Sequence, residues 1–451
     1  MPPRIHRLLS FLGALGSAVV VGLLWYRMRT HDAPQWMLPA KGFMVFTILA
    51  LIAAIMRGGL YQRVVAGAIL LASITAMMLG VIEVACRAIR LDFNELLGAR
   101  RANAAFPIYF RQPTHPTGEV FFTRTPNSTW TGKPLQRLLK NHHSIDSAYS
   151  DEEEVTIRYS REGFRNPDDL ADWDVAVVGD SFTESGYLPE EVVFTGVAAT
   201  KTGLRIKNLG ITDTGNFAHV HYLDTYGKAP ACKTAVLAFF EGNDLNDNVR
   251  ELAALEDFSK TGIRPSHEIP VQTSMLKAMW GLIRDYKKLA IRDRSYVNAF
   301  FKAGTDEIPV SIADAPPGAA QMTADEIHAL ELGLDRYVTT CKKHGMKPHL
   351  LYLPCKRRVM HGLLRHGEHY PQPDWQLGDL PQHLAGECAS RGIHFIDATT
   401  VLARAANEGQ NTFNTIYDTH FNPEGHRLVG ELLAEALKQS GQVATGQNQR
   451  E

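Results

Sequence analysis

Three apolar stretches crowd the first 90 residues, and four short apolar runs recur between polar segments after residue 170. Leu8 to Tyr26 holds no charged residue over 19 positions, and Val64 to Ile82 is again 19 uncharged residues ending at Glu83. Gly42 to Met56 is shorter, but extends back to Met37 if the Lys41 ammonium snorkels to an interface. About 20 apolar residues in a helix span a hydrocarbon core. A signal peptide would need an apolar region of only ~7–15 residues ending at a small-residue cleavage site. Leu8 to Tyr26 is longer and ends in Trp25-Tyr26-Arg27, the composition of an interfacial belt. The pattern therefore predicts three transmembrane helices, a multi-pass integral membrane protein and the lipid bilayer as a partner. Lys and Arg flanking the spans mildly favour a cytoplasmic C-terminal domain by the positive-inside rule.

Residues 1–92 are accordingly read as the anchor and 93–170 as a connecting, partly β subdomain. Glu119 to Thr123 and Val155 to Tyr159 in it have the pattern of short strands. From 171 to 440 the chain alternates strand and helix. Asp174 to Val178, Thr234 to Phe240, His349 to Leu353 and Ile393 to Ile396 are short apolar runs followed by polar or turn residues. Such runs suit parallel strands buried on both faces. Thr323-Ala324-Asp325-Glu326 is a capping box opening a helix with Ile327, Leu330, Leu334 and Val338 on one face. Asn422 and Pro423 begin a last helix. This order implies a doubly wound α/β sheet, whose ligands bind beyond the C-terminal strand ends. An insertion at about 250–322 interrupts the rhythm, with an amphipathic helix expected over Ser274 to Arg292, and 441–451 reads as a disordered tail.

Chemistry gathers at the predicted strand ends. Gly179-Asp180-Ser181 follows the first run directly, so Ser181 would stand at the open end of the sheet as a nucleophile. Asn208-Leu209-Gly210 offers a close backbone approach, and Gly242-Asn243-Asp244 an amide able to donate to an oxyanion; each is also a plain turn or helix cap. Asp418-Thr419-His420 supplies a base for the serine and a carboxylate to orient it. His426 competes, but falls inside the last predicted helix, so His420 is preferred. Composition narrows the alternatives. With 47 basic and 48 acidic side chains in 451 residues there is no basic excess for a nucleic-acid partner. The five cysteines form no C-x-x-C pair, so neither a zinc site nor a disulfide framework is expected.

In this order the GDS, Gly, Gly-Asn-Asp and Asp/His blocks resemble the SGNH (GDSL-like) hydrolase superfamily over roughly 174–251 and 323–438. The resemblance implies a flavodoxin-like three-layer fold and no metal or organic cofactor. It implies attack by Ser181 on an ester carbonyl with His420 and Asp418 as catalytic partners. The backbone N–H groups of Ser181 and Gly210, with the Asn243 side chain, would form the oxyanion hole, and Asp180 and Asp244 would support the site. The D-x-H spacing departs from the family's usual D-x-x-H and resembles alginate O-acetylation proteins. Gly242 also precedes Asn243 directly, where the family usually has one residue between them. Arg161-Glu162-Gly163-Phe164-Arg165 resembles a feature of membrane-linked members. The family resemblance leans the catalytic domain to the extracytoplasmic side. The expected function is a serine-dependent ester hydrolase acting on an acylated small molecule, glycan or lipid at the membrane. An O-acyltransferase modifying a polysaccharide and a non-catalytic membrane-tethered binding module are the alternatives.

Overall fold

The computed structural model describes residues 67, 74, 75, 78–96, 115–133, 153–167, 170–264, 272–281, 299–312, 318–367, 375–414 and 419–440. The chain divides into two compact units, Met1–Leu97 with Val271–Leu282, and Gly98–Pro270 with Ile283–Glu451.

In the first unit the structure corrects the anchor. Among the described residues no helix is long and apolar enough to cross a membrane. The apolar stretch expected to end at Ile82 continues as helix to residue 88 and takes in charge. Glu83 pairs with Arg87 at 2.6 Å and accepts the Leu276 N–H at 3.1 Å, so this turn packs on protein through a carboxylate. The three spanning helices expected from the pattern, and the multi-pass membrane placement built on them, do not stand. Leu8 to Tyr26 and Gly42 to Met56 lie outside the described residues, as do parts of Val64 to Ile82. Of the helix expected over Ser274 to Arg292, 275–281 is described and is helical.

The second unit is built on a five-stranded parallel sheet. Its strands are β5 (Val175–Gly179), β6 (Ile206–Gly210), β7 (Thr234–Phe240), β10 (Lys347–Leu353) and β12 (His394–Asp397), in the spatial order β12-β10-β7-β5-β6. In chain order this is 2-1-3-4-5, the flavodoxin-like winding, with its switch point between β5 and β7. The central strands are apolar on both faces because both faces are covered. Val175 and Val177 enter one core with Val236, Ala238 and Phe240, while Ala176 and Val178 enter the other with Ala235, Leu237 and Phe239. On the first face lie α2 (Phe194–Thr202), α8 (Thr399–Asn407) and α9 (Pro423–Gln439). On the second lie α3 (Asn216–Tyr226), α5 (Ala324–His344) and α7 (Leu380–Arg391). Thr323 and Glu326 form the expected capping box, and Asn422 accepts the Gly425 N–H with Pro423 at the first helical position.

Two β ribbons precede the sheet: β1 (His115–Thr117) with β2 (Phe121–Thr123), and β3 (Thr129–Gly132) with β4 (Val155–Arg158). In the later part of the insertion β8 (Ala299–Ala303) pairs with β9 (Asp306–Val310), and β11 (Leu364–His366), which follows β10, completes a three-stranded sheet. The segments that follow the two ribbons are tied together at Gly163, whose carbonyl accepts the Arg124 N–H at 3.1 Å. Gly163 has φ +80°, and an added Cβ would lie 2.2 Å from the Arg124 carbonyl oxygen. A left-handed alanine costs roughly 1–2 kcal/mol even without that overlap. Gly163→Ala is therefore expected to lose more than about 2 kcal/mol of stability. This reads as a lower urea midpoint at unchanged slope. A wild-type midpoint would show that the turn relaxes freely.

Candidate active site

Ser181 stands where β5 gives way to a four-residue helix, α1 (Ser181–Glu184). The bend needs Gly179, because a Cβ there would sit 2.1 Å from Thr183 Oγ1. Asp180 caps α1 by accepting the Phe182 N–H at 2.9 Å, which leaves the serine at the first helical position. Ser181 Oγ lies 2.7 Å from His420 Nε2 and 3.3 Å from Asp180 Oδ2. A hydroxyl carries one proton, and the shorter contact is to the imidazole. With Nε2 unprotonated, this is the geometry of a serine donating to its general base.

His420 is held just ahead of α9. The Phe182 ring lies 4.7 Å and the Tyr187 ring 5.6 Å from its imidazole, centroid to centroid. Tyr187 OH donates to the next residue's carbonyl, Phe421 O, at 2.7 Å. Asp418, expected to orient the imidazole, lies outside the described residues. His426 is fully buried within α9, where Nδ1 accepts the Phe194 N–H and Nε2 meets Ser185 Oγ and Tyr187 OH. Burial pushes its pKa down to about 3, so it is a neutral packing group.

The expected oxyanion groups are placed unequally. Asn243 occupies the N-cap position of α4 (Asp244–Thr261), but its side chain does not cap the helix. Instead Nδ2 donates to Asp247 at 2.5 Å. Asn243 lines a cavity of about 420 Å3 together with Ser181 and His420. Gly210 is absent from that lining, and its N–H donates to the Asn208 side chain at 2.9 Å. A Cβ at Gly210 would lie 2.4 Å from the Glu184 nitrogen, so this glycine serves close packing of β6 on α1. Thr212 and Asp213 line the cavity instead.

Lys356 and Arg357 also line it, from α6 (Lys356–Val359) after β10. Sequence reasoning missed them, although they follow directly on a strand end where ligands are expected. Their turn is fixed by buried Glu241, which accepts the Cys355 N–H at 2.9 Å and Arg358 Nε at 2.6 Å.

Carboxylates under the cavity have contrasting environments. Burial raises the pKa of Asp180, against the hydrogen bonds from Phe182, Ser181 and Asn243. Asp244 is fully buried, with Oδ2 accepting the Phe240 N–H at 2.9 Å, and burial, then Asp180 and Asp247, push its pKa well up. Burial pushes Asp247 up to about 6. Glu184 goes the other way. Burial would raise it, but the Arg124 charge and the hydrogen bonds it accepts outweigh that and hold it below the usual carboxylate range. Those bonds come from Arg124 Nε and Nη2 at 2.8 and 2.9 Å, Tyr159 OH at 2.7 Å and the Thr212 N–H at 2.6 Å.

Comparison with known proteins adds a family. Residues 319–451 match the family model described as SGNH hydrolase-like domain, acetyltransferase AlgX. No curated protein matches the chain. Among solved structures, similarity is found to a lipolytic G-D-S-L family member from Veillonella parvula, with 13% identity over 59% of this chain and 98% of that one and a TM-score of 0.32. The aryl esterase of M. smegmatis has 13% identity over 59% and 98%, with a TM-score of 0.30. An acetyl xylan esterase of the rumen bacterium Butyrivibrio proteoclasticus has 10% identity over 65% and 68%, with a TM-score of 0.30. Similarity this distant says nothing about substrate. The family match covers His420 and α9, and ahead of it Ser181 and Asn243 meet that histidine at one cavity of the parallel sheet; residues 319–451 are similar to an SGNH hydrolase-like domain, and the site they complete is that of an ester-acting enzyme.

Proposed function

We propose that the protein is a serine ester hydrolase whose substrate is an acylated glycan or lipid, cleaved through an acyl-enzyme. The observation that carries this reading is the 2.7 Å contact between Ser181 Oγ and His420 Nε2 at the switch point of the sheet. Ser181 Oγ adds to the ester carbonyl carbon while His420 Nε2 takes its proton, and the carbonyl π pair moves onto oxygen. Asn243 Nδ2 and backbone N–H groups at the cavity wall are the donors for that oxyanion. Collapse breaks the bond to the alcohol, which leaves with the proton from His420. Water then adds to the acyl-Ser181 carbonyl as His420 takes its proton. Expulsion of Ser181 Oγ, reprotonated by His420, frees the acid.

The match of residues 319–451 to an acetyltransferase-type domain favours a second reading. A sugar hydroxyl would replace water as acceptor, giving O-acyl transfer to a polysaccharide by the same steps.

A serine-directed fluorophosphonate is expected to label the full chain, and Ser181→Ala to abolish labelling. His420→Ala should slow labelling by ~10²-fold or more, since a positioned base contributes about 10²–10⁴. Folded His426→Gln should label within about threefold of wild type, because its partners are core groups. Labelling that survives Ser181→Ala would remove the serine mechanism. Supplying an acetyl ester with and without a polysaccharide, and following free acetate against glycan-bound acetate by mass spectrometry, separates the two readings. Acetate that stays free at high glycan concentration supports hydrolysis; glycan-bound acetate supports transfer.

A further inference from the structure

We infer that Asp247 is a positioning residue of the site, holding the Asn243 amide so that its NH2 end, and not its carbonyl end, faces the ester. This rests on the ester-acting reading above and assigns a part of that site.

The two ends of an asparagine amide have nearly the same shape and opposite chemistry. Nδ2 carries two protons, and Oδ1 only lone pairs. The NH2 end can stabilise a developing oxyanion, and the oxygen end would repel it. At a helix N-cap the choice usually falls to the helix, whose first-turn N–H groups draw the side-chain oxygen. Asn243 stands at the N-cap of α4 and makes no such bond. Its Nδ2 donates instead to Asp247 Oδ2 at 2.5 Å, one turn along the helix. An ionised carboxylate only accepts, so it selects the NH2 end. The backbone ties the same two residues, with the Asp247 N–H donating to the Asn243 carbonyl at 2.9 Å. The second carboxylate oxygen is fixed as well, since Arg250 Nη1 lies 2.9 Å from Oδ1. Arg250 Nη2 then donates to the Asp213 carbonyl at 2.7 Å, which anchors the clamp on the loop after β6. Asp247 is buried and absent from the cavity wall, whereas Asn243 lines it with Ser181 and His420. Asp247 therefore acts through Asn243.

The charge at this position does not serve stability. Burial lifts Asp247 to about 6, above the value of an unfolded aspartate, so ionisation above that pH costs the fold stability. Arg250 is its counter-charge. Asp244 and Glu251 on α4, Asp180 at the cap of α1 and Asp213 after β6 are the other charged groups around it. Below about pH 6 the carboxyl gains an O–H donor and can bond Oδ1 of the asparagine as well as Nδ2. The orientation of the amide then lapses.

The test uses the full chain with 4-nitrophenyl acetate at about pH 8, where Asp247 is ionised, with folding checked by thermal melting. Asn243→Ala is expected to lower kcat ~10²–10³-fold, the cost of one oxyanion donor. Asp247→Asn has the same shape but can bond either end of the amide. Its kcat is expected to fall about 10–100-fold with KM within about threefold. In the Asn243→Ala background the same substitution should change kcat by less than about threefold, because nothing is left to orient. A residue that only supported the fold would cost as much in both backgrounds. Equal losses overturn the inference, and so does wild-type kcat in Asp247→Asn. The acid limb of the pH profile is a second measure that leaves residue 247 unchanged. In the wild type, protonation of His420 and of Asp247 each lowers activity, so log kcat steepens toward a slope of about 2 as pH falls below about 6. In Asn243→Ala only His420 counts, and the slope stays at about 1. Identical limbs overturn the inference, and this measure decides alone if Asp247→Asn does not fold. Turnover that survives Ser181→Ala removes the ester-acting reading. Turnover that needs Ser181 but shows no coupling between Asn243 and Asp247 removes only this inference.

Discussion

A single buried carboxylate, Glu184, joins three parts of the catalytic unit that are far apart in sequence. It closes the nucleophile's helix, accepts from Nε and Nη2 of Arg124 from the β ribbons, accepts Tyr159 OH after β4, and holds the Thr212 N–H beyond β6. Arg165 completes the frame from the same side by donating to the carbonyls of Glu184, Ser185 and Leu188. Removing one partner of such a buried pair typically costs about 3–5 kcal/mol, because the other charge is stranded. The ribbons ahead of the sheet are therefore part of the reacting site's construction. The Arg161-Glu162-Gly163-Phe164-Arg165 motif also finds a physical role: Gly163 makes the turn, Phe164 enters the core and Arg165 braces α1.

The sheet was legible where local pattern and burial agree. β7 coincides with the apolar run Thr234 to Phe240, and the runs ending at Val178, Leu353 and Ile396 became β5, β10 and β12 within a few residues. β6 was not read as a strand, since Ile206-Lys207-Asn208-Leu209-Gly210 puts two polar residues where a buried strand should be apolar. They are tolerated because each is satisfied. Lys207 reaches Glu162, the Tyr226 carbonyl and the face of Trp173, and Asn208 bonds Asn166, Thr183 and Gly210. The β8–β9 ribbon was hidden for a related reason, with Pro309 and a charged Asp306-Glu307 pair masking alternation.

The site divides along the same line. Ser181, Asn243 and His420 could be placed because each sits at the junction of a strong local signal, a strand end or a helix cap. What the sequence did not reveal was the loop after β6. Glycine marks positions where the backbone is unusual, and attention went to Gly210, yet its N–H is engaged by Asn208 and its missing Cβ serves packing on α1. The unusual φ fell on Asp213, and the bonds around it reach far along the chain, from Thr212 to Glu184 over 28 residues and from Asp213 to Arg250 over 37. No window of local sequence contains them.

Two loops at the C-terminal edge of the sheet follow one rule. Glu184 and Glu251 hold the loop between β6 and α3, and Glu241 holds the turn after β10. In each case a buried carboxylate accepts backbone N–H groups that no regular secondary structure would satisfy. Apolar packing fills volume but has no direction, so it leaves the orientation of a peptide plane undetermined. A charged acceptor bonded to a given N–H sets that orientation and is strengthened by the low dielectric around it. Buried charge adds little stability in exchange, since desolvation offsets most of the attraction. Its recurrence at two of the loops that border the cavity fits a scaffold whose loops are held still before substrate arrives, which is the condition for electrostatic stabilisation of a transition state without reorganisation.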